Sequence, residues 1–182
     1  MEKDLIQQPS LCKRIAFVGP ESTGKTTLSE RMAFLHHTEW VREYMRLYLQ
    51  EKWDKQCAVC TWEDLLPIAK GQVRLENEAL FKAKQYLFCD TCLLELVIYS
   101  YIYYGKCEPI IEQHALSHKY DHIFLTYIDT PWVADDLRDK PHEREEIFAF
   151  FKDFLEKKSI PFHLLKGNLD DRVEQINQKL KR

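Results

Sequence analysis

The sequence predicts an α/β domain, a parallel sheet with helices packed on both faces. Three observations carry this. Short strand-like runs recur at Arg14 to Val18, Thr38 to Val41, Tyr86 to Asp90, Asp121 to Thr126 and Pro161 to Leu165. Between them lie helical segments, which supply the crossovers that parallel strands require. A turn with two glycines, Gly19-Pro20-Glu21-Ser22-Thr23-Gly24-Lys25-Thr26, joins the first run to the first helical segment.

That turn is G-x-x-x-x-G-K-[ST] between strand and helix, the context that defines a P-loop. Polyphosphate is densely anionic, and such a loop offers it backbone N–H groups at the positive end of a helix dipole. Gly19 and Gly24 lack a Cβ and let the backbone turn and approach closely. Lys25 adds a point charge on the β/γ-phosphates, and the Thr26 hydroxyl suits Mg²⁺. Gly19, Glu21, Ser22, Thr23, Gly24, Lys25, Thr26 and Thr27 are therefore the candidate ATP-binding residues, with Thr26 a candidate Mg²⁺ ligand.

At 182 residues, the chain reads as one P-loop domain with its core at about 14–176. Hydrophobic residues are 45% and charged residues 30%, which is ordinary globular composition. The net charge is −3 and no Lys/Arg block stands out, so a nucleic-acid groove is not expected. Met1 to Ser10 is too polar for a signal peptide. Tyr86 to Gly105 is long enough to span a membrane, but it contains Asp90 and Glu95. An acid at the bilayer centre costs roughly 2.5–3.5 kcal/mol, so a buried strand and helix is the better reading. No membrane role is expected, and the protein reads as cytoplasmic, with a homo-oligomer left open. Cys57-x-x-Cys60 and Cys89-x-x-Cys92 have zinc-pair spacing. The second pair straddles Asp90, where zinc would compete with Mg²⁺, so six reduced thiols is the preferred reading.

In order, residues 1–13 form a polar lead-in. The first helix runs from Lys25 to about His37, with Leu28, Met32 and Leu35 on one face. Residues 42–49 begin a second helix. Glu43 and Arg46 lie just past a strand's carboxyl end, where open α/β sheets place their ligands. Residues 51–60 read as a loop or lid-like excursion. Thr61-x-x-Asp64 resembles a capping box, and Pro67 bends or delays the helix running toward residue 85. Gln72, Arg74, Glu76, Asn77 and Glu78 read as its solvated face. Tyr86 to Asp90 is a strand ending in a carboxylate, as a Walker B element does, so Asp90 is the second candidate Mg²⁺ ligand. Residues 91–104 form an aromatic helix whose tyrosines mostly pack, with one or two lining a pocket for a flat ring. Residues 110–118 are helical. After the strand at 121–126, arginines follow a Pro/Asp-rich break and suggest a phosphate-clamping lid. Helices over Glu143 to Lys158 and Asp170 to Leu180 complete the pattern.

No N-K-x-D motif occurs, which argues against a GTPase, and the chain is small for an oligomeric ATPase module with a helical lid domain. Carboxylates near the second and third strands and late arginines suit a phosphoryl-transfer kinase. GPESTGKTTL at 19–28, VREYMRLYL at 41–49, LFCDT at 87–91, FLTYIDTPWVADDLRDKPHER at 124–144 and KGNLDDRV at 166–173 resemble the NadR-type ribosylnicotinamide kinase domain. The resemblance implies a nucleoside-kinase-like fold and transfer of the ATP γ-phosphate to the 5′-hydroxyl of nicotinamide riboside. Bifunctional members carry an adenylyltransferase domain before the kinase, for which this chain has no room. Two positions depart from the family pattern. Cys92 stands where the family often has a second acid, and Tyr99 stands where a tryptophan is frequent. Both bear on recognition of the substrate ring.

The expected site follows from the charges at the strands' carboxyl ends. Loop amides and Lys25 hold the β/γ-phosphates, and Thr26 and Asp90 position Mg²⁺. Asp90 or Glu43 orients the acceptor hydroxyl and takes its proton. Arg46 steers a nucleoside-like acceptor, and Arg138 and Arg144 close over the phosphates. Trp40, Tyr99, Tyr103 and Trp132 are candidate stacking partners for a pyridinium ring. A kinase for another nucleoside or small alcohol, and a non-catalytic ATP-sensing module, are the alternatives.

Overall fold

A computed structural model describes residues 2–135, 140 and 142–181. Five strands form one parallel sheet: β1 (Lys13–Val18), β2 (Trp40–Val41), β3 (Tyr86–Asp90), β4 (His122–Thr126) and β5 (His163–Leu165). Their order is β2-β3-β1-β4-β5, which puts the strand leading into the P-loop at the centre. The helices are α1 (Lys25–Leu35), α2 (Tyr44–Gln56), α3 (Leu65–Ala79), α4 (Leu93–Tyr104), α5 (Pro109–Ser117), α6 (Arg144–Lys157) and α7 (Leu169–Leu180).

Side chains alternate across a strand, and β1 is apolar on both faces because both are covered. Ile15 and Phe17 pack with Phe88 and Phe124 under α1 and α7, while Ala16 and Val18 join the larger cluster built from α3, α4, α5 and α6. Register brings the carboxyl ends together. Phe17 pairs with Asp90, and Val41, two residues before Glu43, pairs with Cys89. The loop after β1, the end of β3 and the start of α2 therefore converge at one edge.

Three expectations need correction. Residues 51–56 are the second half of α2, not a loop. Lys55 pairs with Glu51 and the Gln50 amide donates to Asp54, both at helical spacing, while Lys52 and Tyr48 reach Asp64 at 2.5 and 3.0 Å. Gln72 and Glu76 are buried rather than solvated. They share the α3 stripe with Ile68, Ala69 and Val73, and the Tyr120 hydroxyl donates to Glu76 at 2.8 Å. The polar lead-in contains a 3-10 turn, Glu2–Leu5, whose Leu5 is fully buried in the core. The Thr61–Asp64 capping box forms, and Pro67 sits in the first turn of α3. Cys89 and Cys92 are buried, with burial pushing both thiols up, whereas Cys57 is exposed at the end of α2.

Candidate active site

Gly19 has φ +142°, and a Cβ there would lie 2.6 Å from Thr126 Oγ1 and 2.9 Å from the Thr126 carbonyl oxygen. The loop packs that closely on β4, and only glycine fits. Gly24, at φ +81°, is the N-cap of α1 and makes no side-chain cap, so the first helical N–H groups stay available at the cavity wall. Behind the loop, Thr23 Oγ1 donates to Pro20 O and lies 2.7 Å from Thr126 Oγ1. The guanidinium of Arg172, fully buried on α7, donates to Thr23 O at 2.6 Å and Tyr127 O at 3.0 Å and pairs with Asp129.

The loop's tip is tied to the segment after β4. Ser22 O accepts from Thr130 Oγ1 at 2.7 Å and from Arg144 at 3.3 Å, and Val133 N donates to Ser22 Oγ at 2.9 Å. Arg144 also donates to Thr130 O, and its guanidinium carbon lies 5.8 Å from the Trp132 ring centroid.

At the base of the cavity, Lys25 Nζ donates to Gly19 O at 2.7 Å and Pro20 O at 3.1 Å, and lies 3.2 Å from Glu95 Oε1. Glu95 Oε2 accepts from Gly19 N at 3.1 Å. Burial pushes the Glu95 carboxyl upward, with Glu43 and Asp90 adding to the rise, while the Lys25 ammonium 3.2 Å away opposes it and holds the pair charged. Burial also works against the Lys25 charge, yet Glu95, Glu43 and Asp90 hold its pKa above the ordinary value. Thr26 Oγ1 donates to Asp90 Oδ2 at 2.5 Å, and burial raises the Asp90 carboxyl against the pull of Lys25 and Thr26.

Asp90 Oδ1 is buried without a hydrogen-bond partner among the described residues. A hydroxyl and a carboxylate oxygen still seeking a partner are hard donors, and they fit Mg²⁺. No group of three His, Cys, Asp or Glu able to hold a metal occurs among the described residues. Such a magnesium would therefore draw on few protein ligands and on phosphate oxygens.

The cavity over the loop measures about 370 Å³ and is lined by residues 21–27 together with Glu43, Arg46, Glu95, Tyr99 and Thr130. A second, apolar cavity of about 270 Å³ adjoins it between α2, the loop at 58–60 and α4. Leu49, Trp53, Val59, Tyr103 and Tyr104 form its walls, and Glu21, Met45 and Tyr99 line both spaces. Arg46 is ion-paired with Asp135 on the segment after β4.

Most of the expected residues therefore meet at one place. Trp40 and Trp132 do not: Trp40 is packed against the Phe-rich core with the Arg42 guanidinium 5.2 Å from its ring, and Trp132 lines neither cavity, its ring facing Arg144. Arg138 lies outside the described residues. Sequence reasoning missed Glu95, Thr126, Arg172 and the walls contributed by Leu49, Trp53 and Tyr104. Glu95 had a signal, as a lone acid one turn into an apolar helix that directly follows a strand ending in Asp90.

The model for the AAA domain family matches residues 14–172. The chain belongs to that family. It is 27% identical over 157 residues to the trifunctional NAD biosynthesis/regulator protein NadR of Escherichia coli K12, an alignment covering 85% of this chain and 38% of that protein. A crystal structure of a NadR protein in complex with NR superposes with a TM-score of 0.72 at 19% identity, over 87% of this chain and 44% of that one. Deoxyadenosine kinase from M. mycoides superposes with a TM-score of 0.68 at 15% identity, over 92% and 98%. The fold is that of P-loop nucleoside and nucleotide kinases. The chain spans about two-fifths of the length of the curated relatives it matches.

Proposed function

We propose that this chain is an ATP-dependent kinase that phosphorylates the 5′-hydroxyl of nicotinamide riboside, forming the mononucleotide, with residues 14–176 as one cytoplasmic catalytic domain. The observation that carries the reading is the pair of joined cavities. One is polar and built on a P-loop, the other is aromatic, and Glu21, Met45 and Tyr99 belong to both. A triphosphate seated in the first would point its terminal phosphoryl toward the rim of the second. The aromatic walls suit a flat ring, and aromatic faces beside the Glu21 carboxylate favour a cationic one such as pyridinium. Similarity to NadR supports this choice of acceptor.

In this reading the loop amides and Lys25 bind the β/γ-phosphates. Mg²⁺ would be held by Thr26 and Asp90 and would offset charge on the transferring phosphoryl. The Thr26–Asp90 hydrogen bond supports a role for Asp90 on the metal side, and in this reading Glu43, at the start of α2, takes the acceptor hydroxyl. Glu43 accepts the proton as the hydroxyl oxygen attacks phosphorus and the β-phosphate oxygen leaves. Arg46, paired with Asp135, joins the acceptor side to the segment after β4, and Arg144 braces the loop's tip.

The test is to incubate the purified protein with Mg·ATP and nicotinamide riboside and assay for the mononucleotide, beside a panel of other ribosides. Bound ATP with no mononucleotide overturns the acceptor, and product from another riboside replaces it. Among the described residues, no helix is long and apolar enough to cross a membrane.

A further inference from the structure

Lys25 is already fully engaged. An ammonium has three N–H donors, and among the described residues three oxygens lie within 3.2 Å of Nζ: Gly19 O, Pro20 O and Glu95 Oε1. Two of these belong to the loop that would wrap a phosphate. The third is a charge on another element, and its other oxygen accepts the Gly19 N–H. Glu95 thus grips the loop at its first glycine and at its lysine together.

We propose that Glu95 is a positioning residue that holds Lys25 against the loop and competes with the triphosphate for it, so that it sets nucleotide affinity. The proposal rests on the reading of the loop as a triphosphate site. Both side chains are at least nine-tenths buried, so their attraction is little screened by water or salt. When Lys25 turns to phosphate, Glu95 loses its cation in a dry site that also holds Glu43 and Asp90. Both act on Glu95 and on Lys25. Glu95 must then stay charged against its two neighbours and the incoming phosphates or take up a proton, and either penalty counts against binding. In return, Glu95 keeps the Lys25 ammonium docked on the Gly19 and Pro20 carbonyls.

Glu95→Gln tests this on the full chain, because the amide keeps an acceptor for Gly19 N and removes the charge. Titration calorimetry of Mg·ATP should show binding about ten-fold tighter than in the wild type, since like charges brought together in a buried site cost a kcal/mol or more. Glu95→Asp keeps the charge but withdraws it by one methylene, and it should tighten binding by a smaller factor. A folded Glu95→Gln protein that binds ATP as the wild type does, or more weakly, overturns the proposal. Should that variant fail to fold, unchanged or weaker binding by Glu95→Asp overturns it instead. A role limited to holding the fold would lower Tm without tightening ATP. A wild-type protein that binds no ATP overturns the triphosphate reading, and this proposal with it.

Discussion

The Thr26 hydroxyl donates to Asp90 Oδ2 at 2.5 Å while Asp90 Oδ1 stays buried and unpartnered among the described residues. A carboxylate half-satisfied at the end of β3 is costly unless something else arrives. Asp90→Asn keeps the shape and one acceptor but removes the negative charge that a hard cation seeks. Turnover should fall by ~10²-fold or more, in line with the loss of charge stabilisation in phosphoryl transfer. ATP binding measured without magnesium should be little changed or stronger, since a negative charge near the phosphates has gone.

Lys25 and Glu95 form a buried pair, and breaking such a pair from one side is costlier than removing both halves. Lys25→Ala should abolish turnover and also lower unfolding free energy by about 3 kcal/mol, because Glu95 is left without its cation. Adding Glu95→Gln to it should restore most of the stability and none of the turnover. Urea denaturation of the four proteins in the cycle measures the coupling.

Gly19→Ala probes the loop's approach to β4. The added methyl would meet Thr126 Oγ1 at 2.6 Å and the Thr126 carbonyl at 2.9 Å, at a φ of +142° that L-residues rarely adopt. Stability should drop by about 2 kcal/mol or more, with ATP binding lost in whatever protein remains folded.

How much of this was open to reading in the sequence varies by element, for physical reasons. The strands β1, β3 and β4 are apolar on both faces and stand out as continuous runs, and the P-loop carries its own spacing. The second half of α2 was hidden because Glu51 to Gln56 is held by charge pairs and by contacts to Asp64, not by an apolar stripe. Gln72 and Glu76 were judged by polarity, although their phase with Ile68 and Val73 puts them on the buried face of α3. Trp40 sat at a strand end near the site, yet on a strand two residues long its ring turned toward the core beneath α1. Arg172 falls in the KGNLDDRV segment, yet nothing local in α7 reveals that its guanidinium crosses to the back of the P-loop.

Tyr103 separates packing from recognition. It is 44% exposed at the mouth of the aromatic cavity and its ring is 6.1 Å from that of Tyr99. Tyr103→Ala should leave Tm and the KM for ATP unchanged and raise the KM for the acceptor about ten-fold, the size of one aromatic contact to a ring. Equal loss for ATP and acceptor would mean the cavity does not seat the ring.

Glu76 gives the fold a pH dependence of its own, away from the chemistry. Its carboxyl is fully enclosed and burial pushes it up to about 7, against hydrogen bonds from Tyr120 and Gln72. The folded chain therefore favours the protonated acid, whereas the unfolded chain releases that proton near the ordinary value of 4.5. Between those two values the folded state holds more protons, so stability should fall as pH rises from 4.5 and level off above 7. The full span amounts to about 3 kcal/mol. Glu76→Gln keeps an acceptor and a donor for the same partners but cannot ionise, so its melting curves should lose most of this slope. Above pH 7 it should be the more stable protein. Glu95 and Asp90 add slope of the same sign, so the reading fails if the substitution leaves the slope as steep as in the wild type.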